Sequence, residues 1–277
     1  MDAKFDKLKA TLLQTEGVLV VFSAGVDSTF LLKIACVVLG DRAIALTAAS
    51  PTISPEELEA AKNFARELGC RHVIVDSHEL TNPAFAQNPA NRCFFCKDEL
   101  YRICRTQADL LGVATIVDGT NLDDLKDHRP GLQAAKEWRV RHPLVEVEMT
   151  KDDIRRYSRE LNLPTWNKPS SPCLSSRFPY GTEINLERLA KVAACERFMR
   201  ELRFREFRVR YHGDLARIEV AQEEFDRLVE KTTRDALVQK FREIGFNYVS
   251  LDLQGYRMGS MNEALRSKAA KRPGLLE

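Results

Sequence analysis

The sequence has no apolar run near the ~20 residues that a membrane-spanning helix needs; 18–22, among its longest, is far shorter. Its N-terminus lacks the apolar stretch of a secretory signal, since Asp2, Lys4, Asp6, Lys7 and Lys9 alternate in charge there. The expectation is a cytoplasmic protein with no membrane partner. A dominant charge is missing too: 42 basic and 40 acidic groups leave a net charge of +2, which gives no general drive toward nucleic acid. There are no internal repeats and no low-complexity stretches. The Gly-Lys-Ser/Thr ending of a Walker loop is absent, and so is a second Cys-x-x-Cys that would complete a structural zinc site. What remains is an ordinary globular balance, 44% apolar and 30% charged over 277 residues, which excludes a disordered chain and fits one or two domains. Seven cysteines without an export signal read as reduced thiols, with metal binding or catalysis as their interesting uses.

Residues 17–22 form a continuous apolar run ending at a small polar turn, as a buried parallel strand does. Phe30, Leu31, Ile34, Val37 and Val38 then recur at helical spacing up to Gly40, a C-terminal stop. Further strands are expected at 43–49, 72–75, 114–118 and 143–147. Ser54-Pro-Glu-Glu57 opens a helix with an N-cap, proline at the first helical position and acids in the first turn. Strands separated by such helices predict an α/β domain, a parallel five-stranded sheet covered on both faces. The segment 163–182 carries Pro164, Pro169, Pro172 and Pro179 and breaks this rhythm. We therefore expect two domains, 1–165 and 166–277. In the second, Leu186, Leu189, Val192, Ala193, Met199 and Leu202 mark a long helix. A hairpin follows around Gly213-Asp214, and a further helix and a strand at 247–253 close a smaller α+β unit. The last dozen residues, rich in Lys, Arg and Ala, are expected to be loosely held.

The strongest local signal is Ser23-Ala-Gly-Val-Asp-Ser28 between the first strand and its helix. Gly25 allows a tight turn, Ser23 and Ser28 carry hydroxyls, and the amides at the helix start make an anion site. Asp27 would face phosphates, where a carboxylate is useful if it holds Mg2+. Asp118-Gly-Thr-Asn121 follows the fourth strand, at the edge where ligands of open α/β sheets sit. Cys93-Phe-Phe-Cys96 opens a helix after a polar loop, 88–92. Cys173 stands in a proline-bent loop beside Arg177, a setting that favours thiolate. Three thiolates suffice for a 4Fe-4S cluster with one open iron. Zinc on three cysteines, or two unrelated helix-start cysteines beside a reactive Cys173, are the alternatives. Cys36, Cys70, Cys104 and Cys195 read as packing residues. Arg208, Arg210, Arg217, Arg257 and Lys97 are candidates for a pocket that takes a phosphate or carboxylate. Gly255 and Gly259 flank Arg257 in a loop suited to closing on an anion.

The loop 23–28 resembles the pyrophosphate (PP) loop, S-G-G-x-D-S, of the adenine nucleotide α-hydrolase superfamily, whose Rossmann-like domains bind ATP and adenylate a carbonyl or carboxyl oxygen. Ala24 replaces the first glycine, a mild departure if its backbone keeps a negative φ. Together with Arg129-Pro-Gly131, Trp166-Asn-Lys168, Cys173-Leu-Ser-Ser-Arg-Phe-Pro-Tyr-Gly181, Arg208-Val-Arg-Tyr-His212 and the tail 255–262, it is similar to the LarE family over nearly the whole chain. These are ATP-dependent sulfur transferases of nickel-pincer nucleotide biosynthesis. The resemblance implies ATP, Mg2+ and, in the branch with three cysteines, a 4Fe-4S cluster as cofactors. It implies a pyridinium mononucleotide as small-molecule substrate, a homo-oligomer, and a sulfide donor protein as a further partner. By the same resemblance Ser23, Gly25, Asp27, Ser28 and Gly119 hold ATP, with Asp27 on Mg2+. Cys93, Cys96 and Cys173 hold the cluster. Lys97, Ser176, Arg208 and Arg257 bind the pyridinium nucleotide, with Glu196 and Asp226 as acidic, metal-facing members. In the other branch, with one cysteine matching Cys173, that residue's own sulfur is sacrificed.

Three rivals differ in class. A tRNA thiolase pairs a similar loop with three cysteines but usually adds zinc- or RNA-binding modules and a polybasic surface. An ammonia ligase such as an NAD synthetase needs no cysteine triad. A non-enzymatic nucleotide-binding module would leave Cys173 and the C-terminal arginines without a role.

Overall fold

The computed structural model describes residues 2–126, 130–169, 172–257 and 259–262. It divides into two compact units, Met1–Ser171 and Pro172–Glu277. The division falls later than the expected boundary at 165. Residues 166–168 are tied back into the first unit, where Arg155 donates to the Trp166 and Lys168 carbonyls at 2.7 and 3.0 Å.

The first unit runs α1 (Ala3–Leu13), β1 (Val18–Val21), α2 (Val26–Leu39), β2 (Ala43–Ala49), α3 (Pro55–Glu67), β3 (Arg71–Asp76), α4 (Pro83–Ala86), α5 (Arg92–Leu111), β4 (Thr115–Val117), α6 (Gly131–Glu137), α7 (Pro143–Glu146) and α8 (Lys151–Glu160). The strands form one parallel sheet in the order β3-β2-β1-β4. Alternate residues of β1 and β2 serve opposite faces. Val18, Val20, Ala43 and Ala45 pack with α1, α2 and α8 through Phe5, Phe30, Ile154 and Tyr157. Leu19, Ile44 and Leu46 pack with α5 and α6 through Tyr101, Cys104, Ala134 and Ala135. A parallel sheet covered on both faces leaves only its strand ends for ligands. Each fully buried Leu or Phe contributes about 1.5–3 kcal/mol, so these two cores dominate the unit's stability.

Local signals behave as read. Ser54 accepts from the Glu57 amide as N-cap of α3, with Pro55 in the first turn. Gly40 ends α2 at a φ of +58°. Val37, one of the residues at helical spacing in α2, is 59% exposed.

The expected fifth strand is corrected. Residues 143–146 form α7, and among the described residues the sheet continues past β4 by the single bridge Val117–Arg141. Pro143 has no N–H to give a ladder, and at the first helical position its fixed φ starts a helical turn instead.

The second unit contains a 3-10 turn at Leu174–Arg177, α9 (Leu186–Glu201), β5 (Phe207–His212), β6 (Leu215–Val220), α10 (Phe225–Val229), α11 (Lys231–Ile244) and β7 (Tyr248–Leu251). Strands β5 and β6 form the expected antiparallel hairpin, and β7 pairs parallel to β6. Val209, Ile218 and Val220 pack against Met199 of α9 and Leu237 and Phe241 of α11. Leu186, the first residue of α9, is 64% exposed. The last dozen residues lie outside the described residues, as do Arg129 and Met258 of the quoted motifs.

Candidate active site

The loop between β1 and α2 sits at the carboxyl edge of the parallel sheet. Gly25 is the N-cap of α2 and offers no side-chain cap, so the first amides of this 14-residue helix are left for another acceptor. Ser28 Oγ lies 3.2 Å from Ser23 Oγ and accepts from the Ser23 amide at 3.3 Å. Ser23 is exposed and Ser28 buried, so the hydroxyl pair lines the loop with one end open to solvent. Uncapped amides, two hydroxyls and the positive end of a helix dipole fit a pyrophosphate group.

The tight turn is made by a different residue from the one expected. Gly25 has an ordinary φ of −79°. Ala24 takes the left-handed conformation, φ +54°, and is fully buried, so the replacement of glycine there does not keep a negative φ. The strain of about 1–2 kcal/mol in such a residue is offset by two gains over glycine. The buried methyl contributes about 0.8 kcal/mol, and the stiffer unfolded chain about 0.5–1 kcal/mol. Ala24→Gly is therefore expected to change stability by less than about 1 kcal/mol, whereas Ala24→Val, with a β-branch in a left-handed core position, should cost more than about 2 kcal/mol. Thermal unfolding of the two variants checks this; equal costs would refute the balance.

The second loop closes against the first. A Cβ on Gly119 would lie 2.8 Å from the Ser28 amide nitrogen and 3.1 Å from Asp27 C, so backbone meets backbone there. Asn121 donates to Asp27 Oδ1 at 3.3 Å, and the Lys151 ammonium pairs with Asp27 Oδ2. Lys151 starts α8, and its own amide is held by Asp123 at 2.8 Å. Asp27, the residue expected to face Mg2+, is thus fixed between a lysine and an amide. Lys168 donates to the Ala24 carbonyl at 3.0 Å.

Beneath Gly119, Asp118 is buried and collects three donors: Tyr101 Oη at 2.7 Å, His142 Nδ1 at 2.7 Å and the Thr120 amide at 3.0 Å. Burial pushes its pKa up, but the His142 hydrogen bond and the Lys97 and His142 charges outweigh this and hold the carboxyl well below the usual range. Lys97 shows the reverse. Burial alone would lower it, yet Tyr101, Asp118 and Cys96 hold its ammonium above the ordinary lysine value. Lys97, expected on the substrate, is therefore part of this network in the first unit, its Nζ 5.2 Å from the Tyr101 ring centre.

Cys93 and Cys96 occupy the first turn of α5, three apart and hence on one helix face. Buried Arg92 donates to Asn88 and pins this helix start, while Cys93 is exposed and Cys96 half-buried. Cys173, in the second unit, is half-buried and caps the 3-10 turn Leu174–Arg177. Soft thiols on short, well-anchored segments suit iron or zinc. Among the described residues no three His, Cys, Asp or Glu side chains are gathered as a metal-ligand set. Cys104 is buried and its thiol pushed up to about 12 by that burial, and burial likewise raises Cys195; both are packing residues.

Arg177 pairs with Glu196 through Nε and Nη2 at 2.7 and 3.0 Å and donates to the Cys173 carbonyl at 3.2 Å. Glu196, expected to face a metal, also accepts from the Val209 amide at 3.2 Å, and Asp226 is exposed on α10. Arg208 donates to the Phe207 carbonyl at 2.6 Å and to Tyr256 Oη at 3.2 Å. Burial and the neighbouring Arg177 charge lower its pKa, with Tyr256 and Glu196 opposing and Arg210 adding to the repulsion. Arg210 pairs with buried Glu219 at 2.8 Å and reaches the Ser176 carbonyl at 2.7 Å. Arg257 lies 3.9 Å from Asp252. Arg177, Arg208, Arg210, Arg217 and Arg257 gather in this unit with Glu196, Glu219 and Asp252, and guanidinium groups of this kind suit a phosphate or carboxylate. Ser176 and Arg210 meet in this cluster; the pairing needs β5 to be folded, and alternation along 207–212 was its only trace in the sequence.

An α/β sheet with an uncapped, serine-lined loop at its carboxyl edge defines an enzyme of the PP-loop nucleotide-binding class. The NAD synthase family model matches residues 4–100, the stretch that holds this loop. The chain is 38% identical over 260 residues to the pyridinium-3,5-bisthiocarboxylic acid mononucleotide synthase of Lactiplantibacillus plantarum, covering 93% of each. It is 44% identical to an uncharacterized protein of Synechocystis, over 96% of this chain and 99% of that one. A protein of Methanocaldococcus jannaschii, also uncharacterized, is 28% identical over 92% of this chain and 97% of its own. The chain belongs to the pyridinium-3,5-bisthiocarboxylic acid mononucleotide synthase family, the LarE family that its motifs resemble. Among the described residues no helix is long and apolar enough to cross a membrane.

Proposed function

We propose that this chain adenylates a carboxylate of pyridinium-3,5-biscarboxylic acid mononucleotide and converts it to a thiocarboxylate. The observation that carries the reading is the similarity to the Lactiplantibacillus plantarum synthase along 93% of both chains. ATP binds at the loop 23–28, its pyrophosphate on the amides of α2 and the hydroxyls of Ser23 and Ser28, with Asp27 toward Mg2+. The substrate carboxylate attacks the α-phosphorus, and the bond to pyrophosphate breaks. A sulfur nucleophile then adds to the acyl carbon, and AMP leaves with the former carboxylate oxygen. Arg208 and Arg257, with Ser176, hold the substrate's phosphate and second carboxylate; Arg210 shares their cluster.

Cys93, Cys96 and Cys173 would hold a 4Fe-4S cluster, whose open iron supplies a sulfide that can be replaced after each turnover. The three-cysteine pattern supports this over the sacrificial use of Cys173. Copies of the chain assemble as a homo-oligomer in this reading, and a separate donor protein restores the sulfide.

Iron and acid-labile sulfide are the test, measured after anaerobic reconstitution of wild type and of Cys93→Ala, Cys96→Ala and Cys173→Ala. About four irons per chain, lost in each variant, is the expected result. Sulfur transfer that survives in a Cys93→Ala, Cys96→Ala double variant would leave Cys173 as a sacrificial donor. Pyrophosphate release driven by bulk tRNA rather than the pyridinium nucleotide would point to a tRNA thiolase.

A further inference from the structure

Trp166-Asn-Lys168 has no part in the chemistry above, yet it lies across the nucleotide loop. Two arginines of α8 fix it from behind. Arg155 holds the Trp166 and Lys168 carbonyls at 2.7 and 3.0 Å, and the Arg159 guanidinium stands 5.2 Å from the Trp166 ring centre. On the other side Lys168 Nζ donates to the Ala24 carbonyl at 3.0 Å. That carbonyl belongs to the left-handed residue of the loop, and the next peptide along leads into the uncapped amides of α2.

Lys168 is half-buried, and the acceptor of its hydrogen bond is a neutral peptide oxygen. Burial lowers its pKa, with Glu57 of α3 opposing more weakly. A partly desolvated ammonium held on a neutral carbonyl, beside the first amides of α2, is incompletely compensated. Arrival of a phosphate would complete it, since an ammonium–phosphate hydrogen bond is stronger than one to a peptide oxygen.

We propose that Lys168 is a phosphate-binding residue of the nucleotide site, taking the pyrophosphate portion of a nucleoside triphosphate and the inorganic pyrophosphate it releases. The same ammonium holds the Ala24 peptide through its carbonyl. The proposal rests on the reading of 23–28 as the nucleotide loop.

Calorimetric titration of the full chain with inorganic pyrophosphate, ATP and adenosine tests it, in wild type, Lys168→Ala and Lys168→Arg. Loss of one charged hydrogen bond should weaken pyrophosphate and ATP about ten- to a hundredfold in Lys168→Ala. Lys168→Arg should recover most of that, and adenosine should bind all three alike. Pyrophosphate binding to Lys168→Ala as to wild type would overturn the proposal. So would an equal loss of adenosine and pyrophosphate, which is the signature of a mere strut. A wild-type chain that binds neither ATP nor pyrophosphate would overturn the nucleotide reading itself, and this proposal with it.

Discussion

Gly119→Ala is expected to weaken ATP binding at least a hundredfold and to destabilise the first unit by about 2–3 kcal/mol. The added Cβ would meet the Ser28 nitrogen at 2.8 Å and Asp27 C and Ser28 Cα at 3.1 Å. All three are backbone atoms at the start of α2, so no side chain can swing aside to make room. Either the β4 loop retreats, taking Asn121 off Asp27, or the start of α2 shifts and the amides lose their aim. A misplacement near 1 Å at a binding group is enough for a loss of this size. Gly25→Ala is the control for folding, since its Cβ would meet Ser23 Oγ at 3.4 Å, an ordinary contact. ATP titration and thermal unfolding of both variants decide the matter, and wild-type affinity in Gly119→Ala would show that the two loops need not touch.

Asp118→Asn should cost about 1–3 kcal/mol, because it removes the buried carboxylate that Tyr101, His142 and the Thr120 amide donate to and that helps hold the Lys97 ammonium charged. The amide that replaces Oδ1 or Oδ2 would also face a donor, Tyr101 Oη on one side or His142 and the Thr120 amide on the other. Lys97→Met in the same chain removes the ammonium and should recover more than about 1 kcal/mol of the loss. Denaturant unfolding of the two single variants and the double forms the cycle. Strict additivity would mean that Lys97 and Asp118 do not act as a pair. The sign with pH follows from the depressed carboxyl: its stabilising effect is present above the ordinary aspartate value of 3.8 and is lost as pH falls through its lower folded value.

Much of this was legible in the sequence because it is local. The apolar run of β1, the small residues after it, the Ser54 cap and the alternation of β5 each act over a few residues, and each element formed where its pattern lay. Residues 143–147 misled because a short apolar run has no decisive period, and the proline at its head favours a turn of helix over a strand. Lys151, His142 and Tyr101 carried no signal at all, and Lys168 stood only as the end of a quoted motif with no role attached. Lys151 is 124 residues from Asp27, and Lys168 is 144 from Ala24, so only the closed sheet and its helices bring them together. The arginines of the second unit were legible as a group. The pairing of Arg210 with Glu219 came from the hairpin of β5 and β6, and that of Arg177 with Glu196 from the packing of the 3-10 turn on α9.

The shortness of β4 bears on how copies of the chain can associate. Three residues, one bridge to Arg141 and then Pro143 leave this side of the sheet with almost no free backbone to offer another strand. At the opposite side β3 ends in charged residues, Arg71 and Asp76, both exposed. Neither margin is a template for joining sheets across molecules. Association of copies is expected to use helix surfaces or the second unit rather than either margin of this four-stranded sheet.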